Sequence, residues 1–293
     1  AEVSARDAAL RALPNARVVE LGPLSAADAA AVVGFVCPGA TDALTAAVVA
    51  RAEGNPLFLE ALARLHGEGV RDEMLPAAVE AVHQTLLHRL DRPARDFLKT
   101  ASIFGRTGWV EAAVACGSDE AVYPHLRRAG LVAQRPRARF EGAREFNFRS
   151  GTLCEVAGGL WSEGARRTLH GEAARWLEAR PEATPDEVAR HWEQAAEGAR
   201  AAERWAAAAE RALRVGDVDG ARACAGRALA RAGDDLVRWR ALVAQDAALQ
   251  TGADRSRQRE GLAALDALAR GLGPRERAEA AWRCCFFARV TDE

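Results

Sequence analysis

A chain of 293 residues is long enough for two or three modules, each with its own core, and 40 basic against 41 acidic side chains leave no global field to favour nucleic acid or an anionic membrane surface. No apolar run reaches the roughly 18 residues of a membrane span. The six cysteines make no C-x-x-C pair and the six histidines no H-x-x-x-H spacing, so the thiols read as small hydrophobes in a reducing cytoplasm and no metal site is expected. Lys99 is the only lysine and alanine is abundant, the bias of a GC-rich bacterial coding sequence.

In chain order, "ARVVELGPLS" (16–25) is the strongest strand signal of the first 130 residues, a β-branched run closed by Gly22-Pro23. A lone strand cannot make a stable sheet, so its partners are expected in a longer parent. Ser25 and Asp28 form an S-x-x-D capping box before a helix with Val32, Val33 and Val36 on one face, and Thr41 caps a second helix. Asn55 caps a third, in which Pro56 fits the first position and Phe58, Leu62 and Leu65 recur at helical spacing.

From Leu75 the pattern changes. Pro76 is expected to start a helix with Val79, His83, Leu86 and Leu90 on one face, and Pro93 another through Phe97, Leu98, Ala101 and Phe104. A third helix is expected near 108–116 and a fourth ending at Gly130, with Pro124 at its start. "LVAQR" (131–135) and "REFNFR" (144–149) then read as a β-hairpin, and helices followed by a two-stranded wing describe a winged helix. Beyond about residue 160 the chain reads as wholly helical, with Leu169, Ala173, Trp176 and Leu177 on one side of a helix over 163–179. Two helices meet at Gly216-Asp217, a comparable pair runs from Leu236 to Leu272, and another begins near Pro274. A period of about 35–40 residues predicts a helical-hairpin solenoid of the tetratricopeptide kind.

Taken in order, a strand ending "LGPLS", a capped helical lid, "GNPLFLEAL", "LPAAVEAVHQTLLHRLDRPARDFLKTASIFG", a wing ending "FNFRSGTLCEVA", "ARRTLHGEAARWLE" and helical hairpins resemble the signal-transduction ATPases with numerous domains. The likeness is strongest to bacterial proteins that join such an ATPase to a Ser/Thr kinase, a nucleotide cyclase or a LuxR/MalT-type DNA-binding domain. The resemblance implies a mainly α fold: residues 1–24 as the last strand region of a truncated ATPase core, 25–72 as a helical lid, 73–160 as a winged-helix domain and 161–293 as tetratricopeptide-like repeats. In that family a glycine-x-proline motif of the lid lies against the bound nucleotide and its proline packs on the adenine ring. Carried over, this places Gly54, Asn55 and Pro56 at a nucleotide. A helix N-terminus suits that role, because its unpaired N–H groups and dipole favour anions.

Phosphate machinery is absent from the chain. A P-loop needs glycines, a lysine and a hydroxyl at fixed spacing, and the only Lys-Thr pair, Lys99-Thr100, follows no glycine and reads as helix. No acidic residue follows an apolar strand in the Walker B manner. ATP or ADP is therefore expected to bind the full-length parent, with no cofactor and no catalysis in this chain alone. Family members often carry a histidine after the wing's phenylalanine-arginine pair; here Phe148-Arg149 is followed by Ser150, which alters the latch and leaves Arg149 either as a candidate phosphate partner or as a solvated arginine of the wing. The expected partners are the ATPase core of the same polypeptide and a protein on the repeats, in the cytoplasm, without membrane contact. Two alternatives are a winged helix that binds DNA through Arg127, Arg128, Arg135, Arg137 and Arg139, which no aromatic or amide side chains interleave, and a non-catalytic scaffold.

Overall fold

The computed structural model describes residues 22–67, 79–250 and 254–291. Most of the expected strand (16–25) and the expected helix start at Pro76 lie outside the described residues. The chain divides into two compact units, Ala1–Arg89 and Leu90–Glu293.

In the first unit, helices α1 (Ala26–Val36), α2 (Asp42–Ala52), α3 (Pro56–Gly67) and α4 (Val79–Arg89) pack around one core. Ser25 Oγ accepts the Asp28 N–H at 3.2 Å, and Thr41 Oγ1 accepts that of Leu44 at 3.3 Å. The capping box closes in a variant way: the Ser25 hydroxyl donates to Asp28 Oδ2 at 2.6 Å. The inward residues of α3 (Phe58, Leu59, Leu62 and Leu65) meet Val33 of α1 and Val48 of α2 in the core. Each such side chain contributes about 1.5–3 kcal/mol by leaving water, so α3 is held by burial more than by its cap. Leu59, Leu62 and Leu65 are fully buried, and a Leu→Ala change at any one of them would cost about 2–5 kcal/mol.

The second unit opens with α5 (Arg92–Ala101), whose N-cap Asp91 accepts the Ala94 N–H at 2.9 Å and whose first turn holds Pro93. A short 3₁₀ turn over Ser102–Phe104 and Gly105, at φ 87°, lead into strand β1 (Thr107–Trp109). Helices α6 (Val110–Ala115) and α7 (Tyr123–Arg128) follow, then β2 (Val132–Gln134) and β3 (Glu145–Phe148). The sheet is antiparallel with order β1-β3-β2, pairing Trp109 with Glu145 and Val132 with Phe148.

This corrects the expectation of a helix beginning at 108 and of a sheet made of the hairpin alone. Residues 107–109 are extended because β3 offers a free edge, and Phe146 packs closely on Gly108: a Cβ there would lie 3.0 Å from the Phe146 ring, so the ring would have to shift by a few tenths of an ångström to admit a side chain. The helix after β1 starts only at Val110, and the next at Tyr123, one residue before Pro124. Gly130 takes the left-handed conformation, at φ 65°. Phe146 and Phe148 face inward as their alternation requires, and Phe146 lies 5.9 Å from the ring of Phe97 on α5.

The remainder is helical: α8 (Gly151–Gly159), α9 (Glu163–Glu178), α10 (Pro185–Gln194), α11 (Gly198–Arg214), α12 (Val218–Leu229), α13 (Asp235–Leu249), α14 (Arg255–Ala269) and α15 (Pro274–Thr291). From α10 onward each helix packs on its predecessor, and α11 also packs on α13. The odd-numbered members start at 163, 198, 235 and 274, spacings of 35, 37 and 39 residues, so α9–α10 is already the first hairpin of the stack. Alanines make the close crossings: Ala202, Ala206 and Ala209 of α11 and Ala221, Ala225 and Ala228 of α12 are all buried. A small Ala225, where a larger side chain could stand, is what lets these two helices approach.

Candidate functional site

The expected nucleotide motif sits at the α2–α3 turn. Glu53 and Gly54 are both left-handed, at φ 49° and 75°, and the Gly54 carbonyl accepts the Leu24 N–H at 2.9 Å. A Cβ on Gly54 would lie 2.6 Å from Pro23 Cβ and 2.9 Å from the Leu24 carbonyl oxygen. The glycine is thus demanded by the chain's own packing. Asn55 Oδ1 accepts the N–H groups of Leu57 and Phe58 at 3.1 and 3.2 Å, which occupies donors that a phosphate would need. Pro56 begins the helix with its ring exposed. Of the three, only the proline ring offers free surface, suited to a flat apolar group and not to phosphate.

Arg149 and Ser150 lie in the second unit. Arg149 is exposed at the end of β3 and its backbone N–H is held by the Leu131 carbonyl at 3.0 Å. Ser150 is 4% exposed, and its Oγ caps α8 by accepting the Leu153 N–H at 3.2 Å. Its hydroxyl is therefore spent on the helix that follows it. Lys99-Thr100 is helix, as expected: Lys99 stands 3.9 Å over the Trp161 ring and Thr100 is buried in α5.

Several arginines of the basic stretch are engaged with the protein. Arg135 pairs with Glu145 at 2.9 Å, and Arg127 lies against the Tyr123 ring. Arg139, on the loop between β2 and β3, grips both carboxylate oxygens of Glu187 on α10 and donates to the Glu182 carbonyl at 2.7 Å. Glu187 also accepts the Thr184 N–H at 2.9 Å in the α10 capping box; these bonds, against the cost of burial, hold its carboxyl below the usual range. Buried Glu145 accepts from the Trp109 indole at 3.1 Å and from the Arg139 backbone at 2.7 Å. The hairpin loop is therefore bolted to the first helical hairpin.

Beside that junction lies a shared aromatic core. Trp109 of β1 stacks on Trp176 of α9 with ring centres 5.7 Å apart, Phe140 of the hairpin loop lies 4.6 Å from Trp109, and Phe104 meets Trp109 edge-on at 5.8 Å. A cleft of 590 Å³ opens next to it, walled by Ile103, Phe104, Trp109 and Leu177. Its polar lining comprises the His170–His191 pair, Glu187, Arg190, Glu193, Gln194 and Arg227.

The two histidines meet through their Nδ1 atoms at 3.0 Å, so one ring donates and the other accepts. Burial, with neighbouring Arg166, pushes His170 down to about 4; burial, with His170 and Arg190, pushes His191 down to about 3. The pair is neutral at physiological pH. An aromatic wall with convergent polar groups and perturbed titrations is what a ligand site requires. The sequence pattern did not single it out, because its parts come from a 3₁₀ turn, a strand and helices of successive hairpins. The one local signal is the placing of a histidine and a tryptophan on both helices of the first hairpin, in "LHGEAARW" and "RHW".

No family model and no curated protein matches the chain. Among solved structures, the chain is similar to a signal-transduction ATPase with numerous domains that carries a tetratricopeptide-repeat sensor, from Pyrococcus horikoshii, at 11% identity and a TM-score of 0.41. The match covers 96% of this chain and 57% of that one, so the chain spans little more than half the length of that protein. No helix among the described residues is long and apolar enough to cross a membrane.

Proposed function

We propose that the chain is the regulatory and sensor portion of an ATP-dependent signal-transduction switch. In this reading α1–α3 form the lid over a nucleotide held by a P-loop core of the same polypeptide, the α5–β3 module is its winged helix, and the hairpins from α9 onward take a protein partner or effector. The observation that carries it is the bolt between hairpin loop and first repeat, Arg139 on Glu187 beside the Trp109–Trp176 stack. A solenoid joined so firmly to the winged helix moves with it, and binding energy delivered to one can bias the packing of the other. The same bolt disfavours the DNA-binding alternative, since Arg135 and Arg139 are already paired with carboxylates.

A scaffold without nucleotide control is the competing reading, and the capping role of Ser150 favours it, because that hydroxyl serves α8. The test is Pro56→Ala in the full-length parent. The exposed ring contributes a few tens of Å² against a base, about 1 kcal/mol at roughly 25 cal/mol per Å², so the nucleotide Kd should rise several-fold with the fold intact. Asn55→Ala serves as a stability control at about 1 kcal/mol through the lost cap. Unchanged affinity in Pro56→Ala, or no nucleotide binding by the parent, refutes the switch and leaves the scaffold.

A further inference from the structure

The charges around the 590 Å³ cleft are unevenly spent. Both carboxylates that line it are consumed: Glu187 by Arg139 and the Thr184 N–H, Glu193 by Arg231 and the Trp205 indole, the last at 3.0 Å. Arg190 is paired with Asp186 at 2.8 Å. Arg227 is different. Its guanidinium carbon lies over the Trp205 ring, 4.7 Å from the ring centre, with no carboxylate in ion-pair range among the described residues, so N–H groups remain available. Gln194 is exposed with no side-chain partner among the described residues. The apolar part of the lining is Phe104, Trp109, Ile103 and Leu177.

We propose that this cleft binds a small planar aromatic carboxylate, its ring against Phe104 and Trp109 and its anionic group toward Arg227 and Gln194. Size supports this, since 590 Å³ lies within the range of small-molecule sites and exceeds what one side chain could fill. Charge selects the sign: the cleft's acids are neutralised from within the protein, and the unspent donors are a guanidinium and an amide. A cationic ligand would meet Arg227 without any free carboxylate to compensate. The histidine pair, uncharged at neutral pH, adds polar edges without competing for the anion. Arg227 also ties the cleft to the repeats, because it stands on α12 while Phe104 and Trp109 precede the first hairpin. A ligand spanning them would strap the second hairpin to the winged-helix module. This inference is independent of the nucleotide reading.

The experiment is titration calorimetry of the chain with 2-naphthoate, with 2-naphthylmethylammonium as the same ring bearing the opposite charge and cyclohexanecarboxylate as the same charge without a flat ring. The expected result is saturable binding of 2-naphthoate alone, weakened at least about 10-fold in Arg227→Gln and unchanged in Arg128→Gln, an exposed arginine of α7 outside the cleft. Because Arg227 is exposed, its variant should keep the parent's melting temperature, and Gln194→Ala, also exposed, provides a second weakening that no loss of fold would explain. Equal binding of the ammonium or cyclohexane compounds, wild-type affinity in Arg227→Gln, or no 2-naphthoate binding in the millimolar range would overturn the proposal.

Discussion

Asp246 should be the most costly single side chain to remove from the last repeats. It is 3% exposed on α13; its Oδ2 accepts from Arg283 of α15 at 2.7 Å and from Gln250 at 3.2 Å, and its Oδ1 accepts from Gln258 of α14 at 2.9 Å. One carboxylate thus joins three consecutive helices. In Asp246→Ala the Arg283 guanidinium, whose side chain is only 12% exposed, keeps Glu279 alone, and the buried Gln258 amide loses its acceptor. Breaking a buried ion pair from one side costs about 3–5 kcal/mol, and an orphaned amide about 1–3 kcal/mol more. Glu279 offsets part of the first cost, so we expect about 3–4 kcal/mol, concentrated in α14 and α15. Urea denaturation gives the total, and hydrogen exchange should show 255–291 opening well before α9–α12. The double variant Asp246→Leu, Arg283→Met should recover the part due to the stranded guanidinium, because well-packed apolar groups replace a buried pair at little net cost, and leave the cost of the Gln258 amide. A loss below about 1 kcal/mol, or no recovery in the double variant, would mean that water reaches the pair and the reasoning from burial fails.

Acid should loosen the junction between wing and repeats. His170 and His191 have folded-state values depressed to about 4 and about 3, so their stabilising contribution is complete above the unfolded value near 6.5 and is lost as pH falls from there toward 3, on the order of a few kcal/mol. Urea midpoints measured stepwise between pH 7 and 4 test this, and a flat profile would contradict it. Gly54→Ala should cost about 1–3 kcal/mol, since it puts a Cβ on Pro23 and the Leu24 carbonyl at φ 75°; a thermal melt equal to the parent's would show that the turn can relax. Arg139→Ala should cost only about 1 kcal/mol, its side chain being 36% exposed, yet raise amide exchange selectively at 135–144; protection that stays put there would mean that Phe140 alone holds the loop.

How much of this could be read from the residues depends on how far apart the cooperating groups lie. Caps, breakers and helical stripes are local, which is why Ser25, Thr41, Asn55 and Asp217 all stand at the helix starts their side chains suggest. The 35–40-residue period was equally legible, since helix pairs meeting at Gly216-Asp217, running from Leu236 and beginning again near Pro274 follow one another at that spacing. Strand β1 was hidden because its three residues, Thr107 to Trp109, have no alternation of their own; they are extended only because β3 supplies an edge. The first hairpin, α9–α10, falls within the repeats expected over 161–293, but its inner face carries Trp176 and Trp192 instead of alanines, Trp176 packing on Trp109 and Phe140.

The same distinction separates the motif at 54–56 from the cleft. Gly54-Asn55-Pro56 attracts attention because three residues with special backbone or capping chemistry stand together, and the structure accounts for two of them without a ligand: the glycine by its approach to Pro23 and Leu24, the asparagine by its two helix N–H groups. A strong local signal was, for the most part, local structure. The cleft offers no contiguous motif, and while its carboxylates and Arg190 are paired within the protein, its histidine pair and Arg227 lack a comparable structural account. A hairpin needs tryptophans to pack against β1, but it has no evident need for two half-buried histidines bonded to each other or for an arginine left without a carboxylate over Trp205. Burying polar groups costs free energy that apolar substitutes would not, so their presence beside an open aromatic wall points to binding more strongly than a capped turn does.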